Sequence, residues 1–482
     1  MASVRTSFLW ALGQNYVVLG CQFVTSIVIA RLLTPAEMGV FSVAVVIVGL
    51  AQVLRDFGVG DYIVQEKELT RDRIRSALTV NIVLAWSLAA VLFVGSWPAA
   101  AFYRDAGVQS VMQVLSINFL LLPFGSVPLA VVRREMNFAV IAEVRIVTTL
   151  VGSATSITLA YLGMSYLSMA WGSVVSNLLV IVIAWRHRPD GLPFLPGVGD
   201  VRRVMRFGSF VSATFLLSEL DKSASDLLLG RLLGMSATGL FGRAQGLVQL
   251  MDRILMGSVW SVALPFFAQK ERGGGDVREG FLKTAGYLTV LMWPFAIFLG
   301  FMAYPAIRIM FGPQWDAAVP LVRWLCLHLI VAAPFALLGS VMLAIGRVRA
   351  LTLGVSANLA CKVGLLLIGA SYGLEQVAMA VVGSTIVGSV ISFTLLRRSI
   401  GLRMHLLMNA VWRSGVVSAL SAIGPAAVYF MVAIGPERLW WPVGVAILTA
   451  FLGWVGGVIL VTHPIKAELE TMWRRLSGKR LA

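Results

Sequence analysis

Charge is scarce in this chain. Asp, Glu, Lys and Arg together make 13% of its 482 residues, against 58% for the apolar types. A soluble fold of this size needs a more polar surface, so that class is excluded, and the mean hydropathy of +0.86 agrees. Cysteine is nearly absent. Cys21, Cys326 and Cys361 each stand alone in an apolar run, with no CxxC or Cys/His spacing. This excludes a disulfide framework and a zinc site and leaves them as small packing residues. His187, His328, His405 and His463 have no Ser/Asp partners and no metal-ligand spacing. A Walker loop is missing too: Gly273-Gly-Gly275 lies in a charged loop and lacks the GK[ST] ending. No ATPase, catalytic residue, metal site or cofactor is therefore expected. Acidic residues are the rarer sign, 23 against 39 basic, for a net charge of +16. Such a surplus could suit nucleic acid. Here the basic residues sit in short loops between apolar runs, the positive-inside pattern of a membrane protein, and nucleic acid is not an expected partner.

Those runs fall at 8–30, 40–58, 77–101, 109–131, 141–162, 166–185, 208–230, 239–264, 281–303, 317–344, 350–371, 375–396, 415–435 and 440–462. About 20 apolar residues in a helix span the roughly 30 Å of bilayer hydrocarbon. The runs are continuous, whereas barrel strands alternate over about ten residues. The fold expected is therefore an all-α polytopic membrane protein with about 14 transmembrane helices. The first run is long for a signal-peptide core and lacks a small-residue cleavage site, so it reads as an uncleaved first helix. Placing the N-terminus inside puts Lys67, Arg71, Arg133, Arg134, Arg186, Arg202, Lys270, Arg272, Arg347, Arg397 and Arg413 on the same side. The opposite loops hold only Arg31, Arg104, Arg231, Arg308, Arg323 and Arg438, so both termini are expected inside. The proline-bearing loop from Arg186 to Phe207 reads as a linker between lobes. Asp61–Ser76 reads as an amphipathic stretch on the inner surface.

The chain also repeats itself. Arg31/Arg231, Leu32/Leu232, Leu33/Leu233, Gly39/Gly239, Phe41/Phe241 and Ala44/Ala244 match at a constant offset of 200. Six runs separate the copies, an even number, so the two copies share one membrane orientation. That is a parallel repeat of the kind found in transporters with a path between lobes. The expected organisation is a six-helix lobe at 1–200, a second at 201–400, and two added helices with a basic tail at 401–482, the two lobes flanking a central cavity. Leu122-Pro123-Phe124 and Ala333-Pro334-Phe335 form a fainter echo, each a kink site inside a run.

Ala30-Arg-Leu-Leu-Thr-Pro-Ala-Glu-Met-Gly-Val-Phe41, Asp56-Phe-Gly-Val-Gly60 and Met310-Phe-Gly-Pro-Gln-Trp-Asp-Ala-Ala-Val-Pro-Leu321 resemble the polysaccharide transport family. That family belongs to the multidrug/oligosaccharidyl-lipid/polysaccharide exporter superfamily. The resemblance implies a flippase of the bacterial inner membrane. It would move polyprenyl-diphosphate-linked oligosaccharide units between leaflets for exopolysaccharide, capsule or O-antigen, beside polymerase or export partners and in contact with membrane lipids. It also implies a cavity lined by runs one, two, seven and eight.

Ionisable groups at membrane depth are costly and normally face water or a partner. Runs seven and eight carry Glu219, Asp221, Lys222, Asp226, Arg243, Asp252 and Arg253. Mutual pairing is one reading. The other uses Lys222, Arg243, Arg253 and Arg55 to hold the diphosphate of a lipid-linked substrate, since a guanidinium can donate two parallel hydrogen bonds. Arg243 and Arg253 lie about 15 Å apart along one helix. Gln245, Gln249 and Asp252 share one face of it. Gln14 and Asn15 on run one complete the candidate lining, because the resemblance places that run at the cavity. Glu219, Asp221, Asp226, Asp252 and Asp56 are candidates for pairing or for coupling to a proton or sodium ion. Asn81, Asn118 and Asn177 read as glue between helices. Two other functions compete: a cation-coupled multidrug exporter, in which the acidic residues would dominate, and a membrane polysaccharide polymerase. The short outer loops leave little room for the second.

Overall fold

A computed structural model describes residues 4–55, 59–66, 68, 70–188, 197, 212–432 and 435–476; among them every regular element is helical. Asp56, the linker beyond Arg188 apart from Gly197, and the tail residues Lys479 and Arg480 lie outside the described residues. Among the described residues, twelve helical stretches are long and apolar enough to cross a membrane, and they coincide with twelve of the fourteen runs. The other two runs are helical as well, but they carry the mid-run charges. The chain is a polytopic all-α membrane protein.

Two compact units divide it, Met1–Gly239 and Leu240–Ala482. In the first lie α1 (Val4–Leu32), α2 (Pro35–Arg55), α3 (Val59–Gln65), α4 (Arg71–Tyr103), α5 (Ala106–Arg134), α6 (Phe138–Tyr161), α7 (Leu167–Arg186) and α8 (Ser212–Leu232). Helix α5 packs on α4, α7 and α2, with Val111, Leu115 and Phe119 in one core beside Val43 and Val48 of α2. Helices α6 and α7 meet through small residues. A Cβ on Gly152 would lie 1.9 Å from Ser176 Oγ, and one on Gly172 would lie 1.9 Å from Ser156 Oγ. This reciprocal small-xxx-small crossing is how membrane helices approach closely when lipid is as apolar as they are. Polar bonds add to it: Asn118 donates to Ser173 Oγ at 2.9 Å, Asn177 to Asn118 Oδ1 at 2.9 Å, and Asn81 to Ser126 Oγ at 2.7 Å.

The Asp61–Ser76 stretch departs from the expected surface helix. Its first part is the short α3, whose Tyr62 and Ile63 are buried against α4 and α5. From Arg71 it is already the first turns of α4. Burying two apolar side chains outweighs the polar periodicity. The Arg134 guanidinium closes the end of α3, donating to the Ile63 carbonyl at 2.8 Å and to that of Glu66. Those carbonyls are acceptors that the short helix cannot satisfy itself.

In the second unit come the greater part of α9 (Met235–Arg272), α10 (Val277–Phe301), α11 (Ala303–Met310) and a 3₁₀ turn at Pro313–Ala318. They are followed by α12 (Val319–Ala332), a second 3₁₀ turn at Ala333–Phe335, α13 (Leu338–Ala344), α14 (Val348–Ala370) and α15 (Leu374–Ile400). The last elements are α16 (Met404–Met431), α17 (Trp440–Leu460) and α18 (Ile465–Leu476). Helix α10 packs on α12 and α16, and α16 on α17. Proline inside a helix frees the carbonyl four residues earlier, because it has no N–H to give. At three such places an indole from another helix supplies the donor. Trp185 Nε1 reaches the Phe124 carbonyl at 2.8 Å for Pro128, Trp454 reaches Val290 at 2.9 Å for Pro294, and Trp293 reaches Ile330 at 2.9 Å for Pro334.

Candidate functional site

The repeated turn is repeated in three dimensions. Helices α1 and α8 end at Leu32 and Leu232, and α2 and α9 begin at Pro35 and Met235. Leu33 N–H donates to Ile29 and Leu233 N–H to Leu229, both at 2.9 Å. In the first copy Thr34 and Glu37 form a capping box around Pro35: Thr34 N–H donates to Glu37 Oε2 at 2.7 Å, and Glu37 N–H to Thr34 Oγ1 at 3.4 Å. Ser165 Oγ donates to the other carboxylate oxygen at 2.5 Å. The two turns touch at their glycines. A Cβ on Gly39 would lie 1.8 Å from the Met235 carbonyl oxygen, and one on Gly239 would lie 1.8 Å from that of Pro35. Backbone approach this close is open only to a residue without a side chain. The contact extends along α8, where Tyr103 Oη donates to the Leu227 carbonyl at 3.3 Å and the Arg231 guanidinium stacks 5.2 Å from the Phe102 ring.

The candidate residues divide between the units. Gln14, Asn15, Arg55, Glu219, Asp221, Lys222 and Asp226 belong to the first; Arg243, Gln245, Gln249, Asp252 and Arg253 belong to the second. Lys222 Nζ pairs with Glu219 Oε2 at 3.6 Å, one turn away, with the lysine side chain 64% exposed. Asp221, Asp226 and Arg55 are half-buried. Gln14 is buried, and its Oε1 has no hydrogen-bond partner among the described residues. Its neighbour Asn15 is exposed and accepts from Arg145 Nη1 of α6 at 3.3 Å. Arg145 is a basic residue inside an apolar helix that the sequence reading passed over, and its position in run five was the available signal.

In the second unit Arg243 is held by aromatic rings. Its guanidinium lies 5.6 Å from the Phe311 centroid and 5.6 Å from that of Trp315. Both rings come from the Met310–Leu321 motif, and Trp315 is fully buried. Arg308 and Asp316, 3.4 Å apart, brace the same turn. A cation over aromatic rings is attracted by their π-faces, so the motif places a positioned positive group on α9. Ten residues on, Arg253 is exposed, while Gln245, Gln249 and Asp252 are half-buried. Two further polar groups lie in the second unit: Lys362, 9% exposed, in α14, which the sequence reading passed over, and His328 in α12, whose Nδ1 is 2.5 Å from Thr385 Oγ1. No cluster of three metal-ligating side chains occurs among the described residues.

Residues 28–320 match the model of a family described as polysaccharide biosynthesis protein. Among curated proteins, the chain is 23% identical to the lipopolysaccharide biosynthesis protein WzxC of Escherichia coli K12, over 70% of this chain and 69% of that protein. It is 25% identical to the teichuronic acid biosynthesis protein TuaB of Bacillus subtilis 168, over 80% of each. Among solved structures, the lipid II flippase MurJ in an inward closed conformation superposes with a TM-score of 0.72 at 12% identity, over 95% of this chain and 99% of that one. An inward-facing multidrug transporter of the MATE family gives 0.58 at 16% identity, over 82% and 94%. At these identities the structural likeness is one of fold.

Proposed function

The chain belongs to the polysaccharide biosynthesis protein family, whose model covers residues 28–320, and on that premise we propose that it is a flippase for lipid-linked oligosaccharides. The cargo is a polyprenyl-diphosphate-linked repeat unit, carried from the cytoplasmic to the periplasmic leaflet of a bacterial inner membrane for exopolysaccharide, capsule or O-antigen. One coincidence carries the reading: relatives named for lipopolysaccharide and teichuronic acid biosynthesis, and a fold shared over nearly its whole length with a lipid flippase. Transport needs positioned charge and movement rather than bond chemistry, so the proposal assigns no catalytic residue or cofactor. Both termini are cytoplasmic in this reading, on the strength of the loop charges.

Arg243, Arg253, Lys222 and Arg55 serve the diphosphate in this scheme, with Gln245, Gln249, Gln14 and Asn15 offering hydrogen bonds to sugar. Glu219, Asp221, Asp226, Asp252 and Asp56 pair with those cations or take a proton or sodium ion. Arg243 is the first choice because two aromatic rings already position its guanidinium and the bound substrate need not order it. A polysaccharide polymerase or export complex would receive the product.

The test is complementation of a strain deleted for the gene. Wild type restores polymer, and Arg243→Ala at normal membrane levels restores much less. Full polymer yield from Arg243→Ala removes that residue from the site. A deletion strain with normal polymer but new sensitivity to cationic drugs supports multidrug export instead, the reading to which the fold likeness to a multidrug transporter points.

A further inference from the structure

Arg145 is needed for α6 to cross the membrane at all. The helix runs Phe138–Tyr161, 24 residues, and is one of the stretches of spanning length. Beyond Arg145 only 146–161 remain, about 24 Å of helix at 1.5 Å per residue, against roughly 30 Å of hydrocarbon. With Tyr161 at one boundary, the Arg145 backbone therefore falls about 6 Å inside the other. The loop charges make that other boundary the inner one, since Arg133 and Arg134 precede α6. From there a long side chain reaches the level of the inner-leaflet phosphates.

Helix α1 packs on α6. Arg145 Nη1 donates to Asn15 Oδ1 at 3.3 Å, and Cys21 Sγ donates to Ser153 Oγ at 3.6 Å. The paired residues stand 130 and 132 positions apart, so the two helices run parallel. Among the described residues, the Asn15 bond is the only one the Arg145 guanidinium makes, although it carries five N–H donors. Both side chains are exposed. Glu143, two residues earlier, lies about 200° round the helix and pairs with His187 at 3.3 Å. A guanidinium is always charged, and charge at this depth is costly unless it meets water or an anion. Because Asn15 Oδ1 accepts from Arg145, the Asn15 Nδ2 hydrogens remain as donors beside it.

We propose that Arg145 and Asn15 form an entry subsite in the first unit, which takes the diphosphate of a prenyl-linked sugar from the inner leaflet. The subsite rests on the flippase reading for its ligand and on the loop charges for its leaflet. The planar fork of Arg145 can meet two oxygens of one phosphoryl group. Asn15 holds that fork from one side and donates from Nδ2 to the sugar joined to the diphosphate. The pair adds a cation on α6 to those assigned on α2, α8 and α9. It presents positive charge with no carboxylate paired to it among the described residues, so it suits an anionic headgroup and repels a cationic cargo.

The test is the thermal stability of the purified full chain in detergent, titrated with farnesyl diphosphate and, as an uncharged control, farnesol. Farnesyl diphosphate should stabilise wild type at concentrations where farnesol does not. Arg145→Gln should weaken that apparent affinity about tenfold, the cost of a lost charge-assisted contact, with the farnesol response unchanged. Asn15→Asp keeps the acceptor for Arg145 while its carboxylate neutralises the guanidinium. It should lose the diphosphate response too, and it covers an Arg145→Gln protein that fails to fold. Both losses should persist on an Arg243→Ala background. A wild type that does not respond to farnesyl diphosphate, or variants that bind it as wild type does, overturns the proposal. Stabilisation by phosphatidylglycerol at lower concentration than by farnesyl diphosphate overturns it as well, because the pair would then be a phospholipid contact. The assay involves no transport, so the two readings fail separately. Normal polymer in the deletion strain defeats the flippase reading, whereas unchanged affinity in the variants beside polymer restored by wild type defeats the subsite alone.

Discussion

Trp454 Nε1 donates to the Val290 carbonyl at 2.9 Å, the acceptor that Pro294 deprived of its partner one turn later in α10. A residue of α17 thus completes the backbone of α10. Trp454→Phe keeps most of the ring packing and removes the donor. We expect a loss of about 1–3 kcal/mol, the cost of leaving a buried carbonyl unsatisfied. With Pro294→Ala the N–H of residue 294 can serve Val290 directly, so Trp454→Phe on that background should cost much less. Thermal unfolding of the four proteins in detergent closes this double-mutant cycle. Equal losses on both backgrounds would show that the indole matters only for packing.

The glycine contact makes an equally sharp prediction. At Gly39 and at Gly239 even a methyl group would lie 1.8 Å from a carbonyl oxygen, whereas nothing lies within 4 Å of a Cβ on Gly49. Backbone cannot yield as a side chain tip does. Gly39→Ala and Gly239→Ala should each destabilise by about 1–3 kcal/mol, the usual cost of overpacking. Gly49→Ala, on the same helix as Gly39, should be neutral or slightly stabilising through helix propensity. Detergent melting temperatures rank the three, and a Gly39→Ala protein as stable as Gly49→Ala would contradict the contact.

His463 supplies a pH dependence whose sign follows from its bonds. Burial, with the nearby Arg413 charge, pushes its pKa down to about 4 from the usual 6.5. Nδ1 accepts from Ile465 N–H at 3.2 Å at the start of α18, and Nε2 lies 3.2 Å from Ser414 Oγ. A proton on Nδ1 would set donor against donor. The unfolded ring binds its proton first as pH falls, so this stabilisation is complete above pH 6.5 and is lost progressively as pH drops toward 4. Exchange protection of Ile465–Glu470 should weaken over that window in wild type. It should change much less in His463→Asn, whose amide oxygen can accept the same N–H without titrating. Wild-type protection that is constant across the window rejects this account.

Much of this architecture was legible because lipid constrains sequence so tightly. Twelve apolar runs became helices of spanning length, and the offset of 200 reappeared in the boundaries Leu32/Leu232 and Pro35/Met235. What could not be read was contact across the fold. Pro123 and Pro334 look alike in sequence, yet α5 runs unbroken through Pro123 and the second helix breaks into a 3₁₀ turn at Ala333–Phe335. His328 and Thr385 stand 57 positions apart, and only the packing of α12 on α15 brings them to 2.5 Å. Lys222 and Glu219 could be paired from sequence because one helical turn separates them. The aromatic seat of Arg243 is made by a motif some 70 residues downstream, which no local pattern announces.

That seat separates two roles for Arg243. If its charge alone matters, Arg243→Lys should retain polymer export. A guanidinium seated on Phe311 and Trp315 predicts otherwise, because an ammonium cannot make a two-pronged contact to a phosphate. Weakening the cation–ring contacts should cost about 0.5–2 kcal/mol in stability, which is too little to unfold the protein. Arg243→Lys is therefore expected at normal membrane levels, with polymer yield well below wild type and close to that of Arg243→Ala. Trp315→Leu tests the other side of the contact. It leaves the guanidinium in place and removes one ring, so export should fall while some function survives through Phe311. Polymer yield and membrane abundance, measured together for the three variants, decide the matter. Wild-type export from Arg243→Lys would reduce Arg243 to a point charge and leave Phe311 and Trp315 as packing alone.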